Sequence, residues 1–281
     1  RLYKNEDVIE FDWVVGSIPL YDSRGFGTGK EIVSIFQTAM DTDGKFYTDS
    51  NGRQTMTRIR NVYRPWTKNI TKPTTYNYYP VVSWIYLKNE TEDLQLTVFP
   101  DRPQGGTSLR DGQIELMLHR RLQYDDGFGV EEPLNELGVD SRGLIAKGKH
   151  LVYLGSIADS QRLLRTVSNR LVYAPVYSFS EKSRSLLDVP VPRVSGLDMS
   201  LPPNVHLLTL EQVGEDKLIL RLEHQYPGVQ GEGLRESVVI SLKHLLKSLT
   251  ITHVEETVLS AHQYLRDSQR FRFETLDSVS E

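Results

Sequence analysis

Hydrophobic and polar positions alternate along most of this chain. Ile9, Phe11 and Trp13 fall on one side of an extended backbone and Glu10 and Asp12 on the other, the period of two that a half-buried strand requires. The pattern recurs in Leu94, Leu96 and Val98 around Gln95 and Thr97, and in Ile114, Leu116 and Leu118 around Glu115, Met117 and His119. It returns in Leu218, Leu220 and Leu222, in Val238, Ile240 and Leu242, in Leu249 and Ile251, and in Phe271 and Phe273. Between the runs lie Asp43-Gly44, Asn51-Gly52, Gly105-Gly106, Asp126-Gly127 and Pro202-Pro203-Asn204, residues that supply turn geometry. From 161 to 171 the period changes. Leu163, Leu164, Val167 and Leu171 fall at helical spacing and predict one short helix over a sheet edge.

Many short strands joined by turns predict an all-β fold. Residues 1–177 read as a large β-sandwich and 204–281 as a smaller one. Residues 178–203, rich in Ser, Pro and charge and without a period, read as a linker or crossover. No repeat of fixed length suggests a propeller or solenoid.

Composition narrows the classes. With 38% hydrophobic and 25% charged residues, the 281-residue chain reads as a soluble globular protein. No apolar run approaches the ~18 residues of a membrane span. A net charge of −4 with evenly spread Lys and Arg offers no basic stripe for a phosphate backbone, which argues against nucleic acid as a partner. Beginning at Arg1 without a leader, the chain reads as a processed or excised segment. It has no cysteine, which excludes a thiol nucleophile; a chain of this size can also be secreted without disulfides. Two N-glycosylation sequons, Asn69-Ile70-Thr71 and Asn89-Glu90-Thr91, point toward the secretory pathway.

Local motifs supply little chemistry of their own. In Arg24-Gly25-Phe26-Gly27-Thr28-Gly29-Lys30 the glycines match neither phosphate-loop nor dinucleotide spacing, so a glycine hairpin or loop is expected. The seven histidines form no close pair of the kind a zinc site needs, and no Gly-x-Ser-x-Gly elbow occurs. Asp125 and Asp126 point to opposite faces if extended and read as a turn opener before Gly127.

In order along the chain, Gly29-Lys30-Glu31-Ile32-Val33, Phe46-Tyr47-Thr48-Asp49-Ser50-Asn51-Gly52-Arg53, Asn77-Tyr78-Tyr79-Pro80 and Asp101-Arg102-Pro103-Gln104-Gly105-Gly106-Thr107-Ser108-Leu109 form a connected set. They continue in Glu115-Leu116-Met117-Leu118-His119-Arg120-Arg121-Leu122, Asp125-Asp126-Gly127-Phe128-Gly129-Val130, Val205-His206-Leu207-Leu208-Thr209-Leu210 and Arg221-Leu222-Glu223-His224. This set resembles the carboxy-terminal, β-rich portion of the lysosomal class II α-mannosidases.

The resemblance implies a lysosomal or secreted glycoprotein that hydrolyses α-linked mannose of N-glycans with retention, together with an amino-terminal catalytic chain. It implies a zinc ion held by histidines and aspartates of that upstream portion, whose motifs are missing here, so no catalytic residue or metal ligand is expected in this chain. In such relatives an Asp-Asp-x-Arg-Gly loop approaches the sugar, and its arginine position here is Phe128. Only a main-chain contact carries over, with Asp126 and Gly127 shaping the loop. Arg120 and Arg121 read either as anchors toward the catalytic portion or as solvated edge residues. Asn77 to Pro80, Trp13, Trp66 and Trp84 read as core or interdomain packing. The rival class is a stand-alone carbohydrate-binding or adhesion module. Whether the assembly is a homo-oligomer is left open.

Overall fold

A computed structural model of the chain describes residues 1–62, 71–179, 195–226, 234–269 and 271. The chain divides into two compact units, Arg1–Tyr177 and the described residues from 178 onward. In the first unit β1 (Ile9–Val15), β2 (Lys30–Gln37), β3 (Lys45–Ser50) and β4 (Gln54–Ile59) precede a one-turn helix α1 (Pro73–Asn77). Then come β5 (Tyr79–Val81), β6 (Ile85–Asn89), β7 (Leu94–Pro100), β8 (Gln104–Thr107), β9 (Gln113–Arg121), β10 (Ala146–Gly155) and helix α2 (Ile157–Val172). They form a six-stranded sheet, ordered β1-β10-β7-β6-β3-β4, and a four-stranded sheet, ordered β2-β9-β8-β5. The ladders are antiparallel.

The two sheets face each other across a core of Phe46, Val81, Ile85, Leu87, Leu96, Val98, Ile114, Leu116 and Val152, contributed by both. Each such side chain stabilises the fold by about 1.5–3 kcal/mol when fully buried. A second cluster lies on the other face of the six-stranded sheet, where Val8, Trp84, Tyr86, Phe99 and Leu151 meet Leu164 and Val167 of α2. The helix therefore covers a sheet face, not only its edge. Gln95 and Thr97, polar positions of an alternating run, are completely buried beneath it, and Gln161 donates to Gln95 at 2.9 Å. α2 starts four residues before the predicted 161–171 segment because Ser156 caps it, accepting from the Asp159 N–H at 3.2 Å and donating to the Asp159 carboxylate at 2.8 Å.

On β1 the apolar residues do turn toward the sandwich, with the Phe11 and Phe36 rings 5.8 Å apart. As an edge strand, however, β1 leaves Phe11 45% exposed, while Glu10 on the opposite face is buried under Arg1 and Lys149. Between β3 and β4, Asn51 and Gly52 both take positive φ, a conformation these residue types accept at low cost.

In the second unit β11 (Val205–Gln212) and β12 (Leu218–His224) form an antiparallel pair with an irregularity between Leu207 and Thr209. The expected strands at Val238 to Leu242 and Leu249 to Ile251 form no ladder among the described residues. Alternation of three residues does not make a strand without a neighbour to pair with, and Val239 and Leu249 stand exposed. Phe271 is exposed outside any strand, and Phe273 lies outside the described residues. Among the described residues no helix is long and apolar enough to cross a membrane.

Candidate functional site

β2 and β9 are paired from Lys30↔Arg121 to Gln37↔Gln113, so the segment leading into β2 and the segment leaving β9 lie at one end of the same ladder. The first is the glycine-rich stretch. It is a hairpin tip: Tyr21 bridges Gly27, and the Asp22 carboxylate accepts the N–H groups of Arg24 at 2.8 Å and Phe26 at 3.0 Å. These bonds hold the Asp22 carboxyl below its ordinary range and occupy the Arg24 and Phe26 amides. A Cβ at Gly27 would fall 1.7 Å from Gln123 and one at Gly29 2.8 Å from Leu122, so glycine here permits close contact with the second segment.

That second segment leaves β9 and returns to it. The Leu122 N–H donates to the Leu134 carbonyl at 2.9 Å. Arg121 bonds Asn135 Oδ1 and the Ile18 carbonyl, each at 2.7 Å, and a Cβ at Gly143 would lie 2.7 Å from its guanidinium. Arg121 thus ties three stretches of this chain together through its Nε and one of its terminal nitrogens. Arg120 lies 3.7 Å from Glu31 on the neighbouring strand, half exposed.

Within the loop, Asp125 Oδ1 accepts from the Gly127 N–H at 3.1 Å and Asp126 Oδ1 from the Phe128 N–H at 3.0 Å, two successive Asx turns. Gly127 and Gly129 have φ of 72° and 143°, and a Cβ at either would meet nothing within 4 Å. Phe128 is 92% exposed; Phe26, Tyr124, Val130 and Val139 are exposed too. From 122 to 141 there are six carboxylates and neither Lys nor Arg, so this end is apolar and acidic.

The other sequence candidates are occupied elsewhere. Asn77 is buried and bonds Asn61 and Pro73; Tyr79 packs 5.8 Å from Phe46 beneath Arg58. Tyr78 donates to the Glu115 carboxylate, and burial together with that carboxylate raises its pKa. Trp84 is core, Trp13 lies over Gly148, and Trp66 lies outside the described residues. His150 is buried between the sheets beside Gln104, 2.8 Å away, and burial holds its pKa down at about 4. His206 faces Glu223 across β11 and β12 at 2.8 Å. Among the described residues no group of three or more His, Cys, Asp or Glu is placed to hold a metal ion. Asn69 lies outside the described residues; Asn89 ends β6.

Sequence reasoning missed that the glycine hairpin and the Asp-Asp-Gly loop are neighbours. The available signal was that Lys30 and Arg121, one at the start of an alternating run and one at the end of another, each adjoin a glycine-rich turn.

The fold and this site define a β-sandwich domain with an exposed apolar loop cluster at one end. Residues 1–128 match the glycosyl hydrolases family 38 C-terminal domain. The chain is similar over nearly its whole length to lysosomal α-mannosidases. It is 44% identical to the lysosomal alpha-mannosidase of Bos taurus and 42% identical to that of Homo sapiens, in both cases over 98% of this chain and 27% of the relative. An alpha-mannosidase of Canavalia ensiformis is 32% identical over 97% of this chain and 28% of that protein. The chain therefore spans about a quarter of the length of these relatives. A solved alpha-mannosidase from Enterococcus faecalis shares the fold with a TM-score of 0.53 at 14% identity, over 79% of this chain and 22% of that one.

Proposed function

We propose that this chain is the non-catalytic β portion of a lysosomal-type α-mannosidase that removes α-linked mannose from N-glycans with retention. The observation that carries the reading is 44% identity to a lysosomal alpha-mannosidase over 98% of the chain. In this reading residues 1–177 are the large sandwich, 178–203 the connection and 204–281 a smaller β domain. The working compartment is the lysosome.

In this reading the companion is the amino-terminal catalytic portion, and the zinc belongs to that portion. The division of labour follows. The sandwich supports the catalytic portion, and the Asp125-to-Val130 loop presents the Phe128 backbone toward a mannose hydroxyl. Asp126 fixes the turn, and Gly127 takes the positive φ that lets the main chain approach without a Cβ clash. The exposed rings and carboxylates suit a partner surface with apolar and basic groups.

Steady-state kinetics of the parent enzyme on a mannoside test this. Gly127→Val reshapes the loop backbone and is expected to lower kcat/KM on the order of tenfold, as misplacement near a reacting sugar does. Phe128→Leu, which leaves the main chain in place, stays near the parent value. Unchanged kinetics for Gly127→Val, or hydrolysis of the mannoside by this chain alone with added zinc, overturn the proposal.

A further inference from the structure

The turn from β6 to β7 contains the sequon Asn89-Glu90-Thr91. Asn89 is the last residue of β6 and pairs with Leu94, the first of β7. Its Oδ1 accepts from the N–H groups of Thr91 at 2.9 Å and Glu92 at 3.1 Å, which fixes the carboxamide plane. Its Nδ2 makes no hydrogen bond among the described residues and is not sealed from solvent. Asn77 differs: its Nδ2 donates to Asn61 and Pro73 in a buried setting. The residues 90–93 that follow Asn89 are all exposed.

We propose that Asn89 is an N-glycosylation site and that its glycan keeps the β6–β7 end of the sandwich in water in the assembled enzyme. The inference rests on the secretory reading above. Nδ2 would bond to the anomeric carbon of a lipid-diphosphate-linked oligosaccharide. As that bond forms the anomeric C–O bond breaks, the diphosphate leaves with the electron pair, and Nδ2 loses one proton to the transferase. No hydrogen bond of the fold has to be given up, because Nδ2 holds none.

The position also suits the loop site. β10 runs from Ala146, beside the stretches tied by Arg121, to Gly155, which pairs with Gln95 just after the turn. Ten residues at about 3.3 Å each separate the two ends by about 30 Å. A glycan on Asn89 therefore leaves the Phe128 loop free to meet the catalytic portion.

The test is peptide mass spectrometry on the parent enzyme secreted from eukaryotic cells, deglycosylated with a peptide amidase in heavy-oxygen water. The tryptic peptide 89–110, uncut at Arg102 because Pro103 follows it, is expected to carry labelled Asp in place of Asn89. Thr91→Ala, which keeps both bonds to Asn89 Oδ1, is expected to lose one glycan's step on a gel with unchanged turnover, and Thr91→Ser to keep it. An unmodified 89–110 peptide in a sample glycosylated elsewhere overturns the site alone. A protein bearing no N-glycan anywhere overturns the secretory reading, and the site with it.

Discussion

Replacing Asp49 with alanine removes the acceptor for four backbone N–H groups at once. The carboxylate is 2% exposed; Oδ1 accepts from Val82 at 2.8 Å, Ser83 at 2.9 Å and Trp84 at 3.3 Å, while Oδ2 accepts from Gly52 at 2.6 Å. One side chain thereby joins the β3–β4 turn to the segment that crosses from β5 in one sheet to β6 in the other. A buried donor left without a partner costs about 1–3 kcal/mol. Water entering the vacated space satisfies some of the four, so the expected loss for Asp49→Ala is about 3–5 kcal/mol, a large part of a domain's usual 5–15 kcal/mol. Asp49→Asn keeps Oδ1 but turns an NH2 donor toward the Gly52 N–H, and about 2 kcal/mol is expected. Urea unfolding followed by tryptophan emission measures both, since all three tryptophans precede residue 178. A loss below about 1 kcal/mol for the alanine variant, or equal losses for the two, refutes the reasoning.

Three further outcomes are expected. His150 has a folded pKa of about 4 against an ordinary 6.5, so the unfolded chain takes up the proton first on acidification. Its stabilisation is complete above pH 6.5 and declines toward pH 4 by up to about 1.4 kcal/mol per pH unit, and urea midpoints across that range are expected to fall less steeply for His150→Gln than for the parent. At Gly148 a Cβ would lie 2.3 Å from the Trp13 ring, so Gly148→Val displaces the indole, shifts its emission and costs about 1–3 kcal/mol in denaturant titrations. Ser156→Ala removes the cap of α2 and is expected to lower stability by about 1 kcal/mol, with faster amide exchange in its first turn.

The all-β class was legible because alternation reports a strand whenever one face meets a core, as at Ile114 and Leu116. The same rule misjudged Gln95 and Thr97, because a polar residue looks identical in sequence whether water or a helix lies over it. α2 was found from Leu163, Leu164, Val167 and Leu171, but its first turn carries no apolar repeat and only the Ser156–Asp159 cap marks it. Asp49 gave no signal of its bridging role, because three of the four amides it accepts from lie more than thirty residues away in sequence. Of the loop site, the turn chemistry of Asp125, Asp126 and Gly127 could be read locally. The meeting of Ile18, Asn135 and Gly143 at Arg121 depends on strand pairing that no single run encodes.

Burial of β7 on both faces has a consequence for how the central hairpin finds its partner. From Gln95 to Pro100 every residue is buried, and in β6 Ile85 and Leu87 serve one apolar layer while Tyr86 serves the other. Sliding such a strand by one residue trades one greasy surface for another, so inside-outside contrast corrects the slip only weakly. The gauge that sets the alignment is the length of the connection between Asn89 and Leu94, with Asn89 clasping Thr91 and Glu92. Adding or deleting a single residue there is expected to scramble the middle of the six-stranded sheet, although the change itself lies in solvent.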